Sequence, residues 1–186
     1  MYGFPQVTRV RLSRSRLGGL PWAVPAVISL GLAACSPALN WRSAALGELS
    51  LTLPCKPDRA QRTVPLGGQS LNMEMVGCEA DGALFAVSRV GVPPGADPEQ
   101  LQAQWQAASL LQMQAQGSPV LAPLSTSAQA LPLRGLVASG KAGDGRAVQA
   151  RLAWVAAGTD VYHFAVYAAR ITPEMAEPFF EGVKAR

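Results

Sequence analysis

The stretch from Gly135 to Ala142, GLVASGKA, has the G-x-x-x-x-G-K spacing of a phosphate-binding loop. In such a loop backbone amides cradle the phosphates, and a Ser or Thr directly after the lysine ligates Mg²⁺. Here that position is Ala142, which has no hydroxyl. The stretch also reads as a strand that runs into an Asp-Gly turn, with no helix N-terminus to hold a phosphate. We therefore predict that it binds no nucleotide.

His163 is the only histidine of the chain. A hydrolase could use it as a general base, and a zinc site could use it as a ligand, but zinc needs several nitrogen, sulfur or carboxylate ligands. The period of two in its stretch places His163 on one strand face with Val161, Ala165 and Tyr167. An ordinary strand histidine is the simpler interpretation, and the sequence identifies no catalytic residue.

Acidic residues and methionines supply no clearer site. The densest acids flank predicted turns or a helix start and mark no acid–base pair: Glu74, Glu79, Asp81, Asp97 and Glu99. Met73 and Met75 lie close to Cys78, and soft thioether ligands favour Cu(I). The same alternation suits a strand with one buried face, so we predict that the methionines are core residues and that no metal or cofactor is bound.

The N-terminal stretch has the pattern of a targeting signal. Four arginines, at positions 9, 11, 14 and 16, precede an apolar run over 17–34 that prolines and glycines interrupt. A membrane span needs about 20 apolar residues, whereas a positive segment, a short apolar segment and small residues are typical of a secretory signal. We predict that residues 1–34 are a cleaved signal peptide and that the protein is exported.

The end of this run, Leu32-Ala33-Ala34-Cys35, resembles the lipobox of bacterial lipoprotein precursors. The resemblance implies that the Cys35 thiol receives a diacylglycerol, that the chain is cut before it, and that acyl chains hold the protein on a membrane. Two or more acyl chains anchor a protein stably, whereas one does so only marginally. Ser36 in place of Asp implies sorting to the outer membrane, facing the periplasm.

Lipidation of Cys35 would leave an even pair of cysteines, Cys55 and Cys78. An exported protein can oxidise such a pair. A redox-active dithiol usually places its thiols two residues apart at a helix start, and these lie 23 residues apart. We therefore predict a structural disulfide between them.

Charge placement excludes one class of partner. The formal net charge is +4, and the four N-terminal arginines account for all of it. Residues 35–186 hold 12 basic and 12 acidic side chains, so the body of the protein is formally neutral. A nucleic-acid-binding domain carries its positive charge on the folded part, and we predict no nucleic-acid partner.

Strand patterns occur in two groups, separated by one helix. The alternating or apolar stretches are ELSLTLP, RTVPL, QSLNMEMVG and ALFAVSRVGV in the first half, and LPLRGLVASGKA, RAVQARLAWVAA and VYHFAVYAA in the second. Turn signals between them include Gly67-Gly68, Asp81-Gly82 and Gly158-Thr159. These signals predict two antiparallel meanders.

The helix patterns lie between the meanders and at the end of the chain. Asp97 is the predicted N-cap of a long central helix, with Pro98 at its first position and Gly117 as its C-cap. Glutamines cover much of its polar face, which is neutral; a contact surface is one interpretation of this face, and a solvated helix face is the simpler one. A shorter C-terminal helix starts near Pro173 and buries Phe179 and Phe180.

This order predicts an α+β fold: an antiparallel sheet of about six strands, packed by one long central helix and a C-terminal helix. Residues 35–46 are predicted to be a tether and 47–186 a single α+β domain. The stretches LPLRGLVASG, AVQARLAWVAAGTDVYHFAVYA and EPFFEGVKAR resemble the C-terminal portion of PsbP-like α/β/α domains. That resemblance implies an assembly or binding module without enzymatic activity.

The sequence thus favours a lipid-anchored envelope protein that contacts the membrane through its anchor and binds a partner, which could be another envelope protein, peptidoglycan or a small ligand. An envelope hydrolase with an unrecognised site is the alternative. A methionine-based metal-handling protein is a third.

Overall fold

A computed structural model describes residues 38–122 and 133–186 of the chain. Cys35 and the predicted signal peptide lie outside the described residues. Within these ranges the chain forms ten strands and two helices: β1 (Arg42–Leu46), β2 (Leu49–Leu53), β3 (Asp58–Leu66), β4 (Gln69–Ala80), β5 (Ala83–Gly91), α1 (Pro98–Gln112), β6 (Gln116–Ala122), β7 (Arg134–Lys141), β8 (Ala147–Ala157), β9 (Asp160–Ala168), α2 (Pro173–Glu181) and β10 (Lys184–Ala185).

Seven of the strands form one antiparallel sheet in the order β3-β4-β5-β9-β8-β7-β6. The first meander, β3-β4-β5, and the second, β6-β7-β8-β9, meet through the antiparallel pair β5 and β9. The other three strands form a small sheet in the order β1-β2-β10. The α+β class and the antiparallel pairing are therefore confirmed.

The predicted number of about six strands is wrong, because several strands lack an alternating pattern of large apolar residues. Residues 42–46, predicted as part of the tether, form β1, which is mostly small residues and pairs with β2 along its whole length. β6 contains Gly117, Ser118 and Pro119, which are typical of a loop, yet it pairs with the edge of β7. β10 has only two residues. These segments become strands because they pair with neighbouring strands, and their local strand propensity is too low to predict it.

Each face of the seven-stranded sheet packs against a separate layer. Alternation along the strands divides the side chains between two cores. The α2-side core lies under the small sheet and α2 and includes Leu49, Leu51, Phe85, Phe164, Phe179 and Phe180. The α1-side core lies under α1 and includes Met73, Leu101, Trp105, Leu152, Trp154 and Val161.

α1 begins as predicted and ends earlier than predicted. The Asp97 carboxylate accepts a hydrogen bond from the Glu99 N–H (2.9 Å), and Pro98 occupies the first position. Gln114 then adopts a left-handed conformation (φ 48°), and its N–H donates to the Leu111 carbonyl. The N–H of residue 115 donates to the carbonyl of residue 110. These two hydrogen bonds form a Schellman motif, which ends the helix. The predicted cap, Gly117, lies inside β6. The helix has 15 residues and is short where a long one was predicted.

α2 matches its prediction closely. It spans nine residues from Pro173 to Glu181 and contains Pro178. Phe179 and Phe180 are each 1% exposed. Because both point into the α2-side core, this short helix is held mainly by its aromatic side chains.

Candidate interaction surface

The predicted disulfide is present. Cys55 lies in the loop after β2 and Cys78 lies in β4, and the two are bonded with their Cα atoms 6.0 Å apart. Cys78 belongs to the α2-side core, and Cys55 packs against that core. The disulfide therefore links the loop that follows β2 of the small sheet to β4 of the large sheet.

His163 is buried between two tryptophans. Its ring stacks on Trp154 (centroids 4.6 Å apart, planes 14° apart) and lies 5.4 Å from the ring of Trp105. Burial lowers the pKa of His163 to about 3, and its Nε2 has no hydrogen-bond partner among the described residues. The imidazole is a neutral core group with no access to a substrate in this structure.

His163, Tyr167 and Arg151, the groups of this region that a hydrolase could use, do not share one groove. His163 and Tyr167 belong to the α1-side core, and burial raises the pKa of Tyr167 to about 12. Arg151 lies on the opposite side of the sheet, with its guanidinium carbon 5.4 Å from the ring centroid of Phe180. The sheet separates these groups, so they cannot act on one ligand.

The other candidate motifs lie within the sheet or in its core. Met73 and Met75 pack in the α1-side core, as the alternation predicts. Gly135 to Lys141 lie in β7, within the sheet. In the described ranges no three His, Cys, Asp or Glu side chains are grouped closely enough to hold a metal ion.

A cluster of charged side chains that the sequence analysis missed connects the two sheets. Arg89 binds Glu74 through two hydrogen bonds (3.1 and 2.8 Å) and Asp160 through a third (2.7 Å). The Tyr162 hydroxyl donates to Asp160 (3.3 Å) and accepts from the N–H of Glu48 (3.1 Å). Hydrogen bonding to Glu74, opposed by burial and assisted by Asp160, raises the pKa of Arg89. Both carboxylates are paired, so the cluster fastens the β1–β2 turn to the large sheet.

Part of this cluster was available from the sequence. The predicted turn at Asp81-Gly82 fixes the register of β4 and β5, and that register pairs Glu74 with Arg89. Asp160 arrives from a distant part of the chain through the pairing of β5 with β9. No local pattern predicts that pairing.

The surface formed by α1 and β6 differs from the rest of the molecule in charge. We define the α1–β6 surface as the exposed residues between Gln102 and Ala122. It belongs to a run of 34 residues, from Gln100 to Leu133, that contains no charged side chain. Only Leu101 and Trp105 of α1 are buried, so most of this neutral helix faces solvent.

Large apolar side chains stand out from this surface. Leu111, at the end of α1, and Leu121, on β6, are each 80% exposed. The last turn of α1 and the start of β6 enclose an open groove of about 540 Å³. Its lining is uncharged: Leu110, Leu111, Gln114, Ala115, Gly117 and Pro119. Exposed large apolar side chains beside an uncharged groove are typical of an interaction site.

The width of the sheet explains why the patch is uncovered. Seven strands spaced roughly 4.8 Å apart span roughly 29 Å between the outer strands, whereas one helix with its side chains is about 10–12 Å across. α1 packs on β8, β9 and β3. β6 lies at the edge beyond them, so neither of the two helices in the described ranges covers its side chains.

Comparison with known proteins finds no family model that matches the chain and no matching curated protein. Neither helix in the described part of the chain is long and apolar enough to cross a membrane.

Proposed function

We propose that this protein is a lipid-anchored component of the bacterial cell envelope and that its folded part is a non-enzymatic binding or assembly module. The observation that carries the proposal is the α1–β6 surface, where two leucines are 80% exposed and one of them, Leu111, lines an uncharged groove. Exposing large apolar groups is unfavourable in water, and a bound partner removes that penalty.

Three features support export and anchoring. Leu32-Ala33-Ala34-Cys35 ends an apolar run that follows four arginines, which is the arrangement of a lipoprotein signal. The disulfide between Cys55 and Cys78 is suited to an oxidising compartment. Ser36 after the modified cysteine favours the outer membrane.

The buried His163 and the separated Arg151 supply no hydrolytic site, which favours a module that binds over one that cleaves.

Mass spectrometry of the mature N-terminus tests the anchor. We expect a chain that begins at Cys35 and carries the added mass of its acyl groups. In the Cys35→Ser variant the precursor should accumulate uncut, because serine offers no thiol to modify. An unmodified Cys35, or a mature chain that still begins at Met1, would contradict the anchoring proposal.

Chemical protection in the native envelope tests the binding surface. Leu121→Cys places a thiol on the α1–β6 surface, and Thr63→Cys places one on the opposite edge of the sheet, in β3. In intact envelopes a maleimide should label the Leu121→Cys protein several-fold more slowly than the denatured protein. The Thr63→Cys protein should react at the same rate as a free exposed thiol. Equal, fast labelling of both variants would show that nothing occupies the surface.

A further inference from the structure

We propose that the partner of the α1–β6 surface is a second copy of this chain, bound across a two-fold axis. This inference rests on the proposed function, because it names what the surface binds. Most oligomers are symmetric, and in a two-fold interface the same patch meets itself. The patch must then be compatible with its own copy in charge, in shape and in extent.

The charge pattern meets this requirement. Near a two-fold axis each side chain approaches its own symmetry mate, so a charged residue there would face a like charge. The run from Gln100 to Leu133 has no charged residue, and it supplies the whole α1–β6 surface. Glutamines on α1 can form hydrogen bonds with glutamines of the second copy, because each amide both donates and accepts.

The surface relief of the patch is compatible with contact to a second copy. It carries both protruding groups, Leu111 and Leu121, and the groove beside Pro119. Across a two-fold axis the leucines of each copy can fill the groove of the other. Thirteen residues between Gln102 and Ala122 are exposed, about half of the roughly 20–30 residues a side of a standard protein interface, so the expected contact is a small one.

The two edges of the sheet differ in a way that favours contact at β6. β3 carries Asp58, Arg59 and Arg62 as exposed charges and also contains Pro65, which are devices that discourage pairing. β6 carries no charge, and Val120 on its other face is 66% exposed. Because Val120 and Leu121 point to opposite faces of the sheet, a partner that meets the edge covers both. A flat surface lying on one face covers only one of them.

The contact is expected to be side-chain packing, with at most a short backbone pairing. The register of β6 against β7 shifts between Gln116 and Val120, and Pro119 in that interval has no N–H to donate. A long continuous strand pairing between two copies of β6 is therefore unfavourable. The apolar side chains and the groove remain as the main contact.

Disulfide crosslinking in the native membrane tests this proposal directly. Two copies of the Leu121→Cys chain, one with a short tag and one with a long tag, are expressed together and oxidised. We expect three crosslinked species on a non-reducing gel, namely the two tagged homodimers and the mixed dimer. The matched Thr63→Cys chains and the parent chain should give none.

Charge substitution at Leu111 provides the second measurement. In the Leu121→Cys background, Leu111→Glu in both copies should lower the crosslinked fraction about ten-fold, because two buried like charges oppose association. Leu111→Lys in both copies should do the same. Pairing one Leu111→Glu copy with one Leu111→Lys copy should restore the mixed dimer selectively.

The outcomes separate this inference from the function it rests on. Three species at Leu121→Cys and selective restoration by opposite charges support the dimer. No self-crosslink, together with slow maleimide labelling of Leu121→Cys, overturns the dimer and leaves the surface bound to a different partner. Fast labelling with no self-crosslink overturns both proposals. Equal crosslinking at Thr63→Cys would show random collision and would also overturn the dimer.

Discussion

The two faces of the seven-stranded sheet are covered to very different extents. On the α2 side the small sheet and α2 together close the core, and four of the nine residues of α2 are buried. On the α1 side a single helix of 15 residues buries only Leu101 and Trp105. Since tertiary packing supplies most of the stability of a helix, α2 is tightly held by the core and α1 is held at a few points.

The same two sides also differ in their polar groups. The α2 side includes the cluster of Arg89, Glu74 and Asp160, in which every charge is paired. The surface next to α1 is uncharged and exposes Leu111 and Leu121. The paired charges and the closed core of the α2 side stabilise the fold, whereas the α1 side carries the surface that we propose to bind a partner.

The largest effect is expected from opening the α2-side core. Phe179 contacts the rings of Phe85, Phe164 and Phe180 edge to face and is 1% exposed. Phe179→Ala should lower the free energy of unfolding by about 3–5 kcal/mol, measured by urea denaturation of the mature chain. Leu111→Ala, on the binding surface, should change it by less than about 0.5 kcal/mol. A comparable loss in both variants would remove the distinction between the two sides.

Loss of the disulfide should have the next largest effect. Cys55 and Cys78 are 23 residues apart, and a crosslink over a loop of this length contributes about 3 kcal/mol by restricting the unfolded chain. The double variant Cys55→Ala/Cys78→Ala should lose stability of that order in urea denaturation. Reductant should destabilise the parent chain equally and leave the double variant unchanged. A reductant effect that persists in the double variant would contradict this assignment.

Contacts within hairpins can be worked out from the turns that the sequence predicts, because a turn fixes the register of the strands that it joins. The Gly158-Thr159 turn sets Trp154 opposite His163, and Asp81-Gly82 sets Glu74 opposite Arg89. Contacts between the meanders were not predictable, because Asp160 reaches Arg89 through a pairing of distant strands. β6 was missed for a different reason, since its Gly, Ser and Pro residues have low strand propensity.

The candidate surface was only half predicted from the sequence. The sequence offered the neutral glutamine face of the central helix as a contact surface only as the alternative to a solvated helix face. Leu111 lies at helical spacing from Leu101 and Trp105, which predicts burial, yet it is 80% exposed. The buried stripe of the helix ends early because Gln114 turns the chain into β6 and because the helix crosses only part of the sheet. A charge-free run of 34 residues was the available signal.

The core under α1 should be the acid-sensitive part of the molecule. Burial lowers the pKa of His163 to about 3 in the folded chain, against about 6.5 when unfolded. As the pH falls below about 6.5 the unfolded chain takes up this proton first, so stability is lost between about pH 6.5 and pH 3. At pH 4.5 the loss is on the order of 2 kcal/mol.

His163→Phe isolates this contribution, because phenylalanine keeps an aromatic ring between Trp105 and Trp154 and does not titrate. The measurement is the free energy of unfolding at several pH values from 7 to 4. The slope attributable to His163 should disappear in the variant, whatever its stability at pH 7. An unchanged slope would mean that surface carboxylates, and not the α1-side core, govern the acid response.

The smallest effect is expected from removing the Tyr162 hydroxyl, whose hydrogen bonds connect the β1–β2 turn to the large sheet. Tyr162→Phe removes the hydroxyl that donates to Asp160 and accepts from Glu48. Asp160 keeps its bond to Arg89, so the main loss is the acceptor for one backbone N–H, which costs about 1 kcal/mol. Tyr167→Phe, on the α1 side, is the matched control and should cost less than about 0.5 kcal/mol in the same urea measurement. If Tyr167→Phe lowered the free energy of unfolding more than Tyr162→Phe, the tyrosine hydroxyl of the α1 side would contribute more stability than that of the α2 side. This result would contradict the difference that we assign to the two sides.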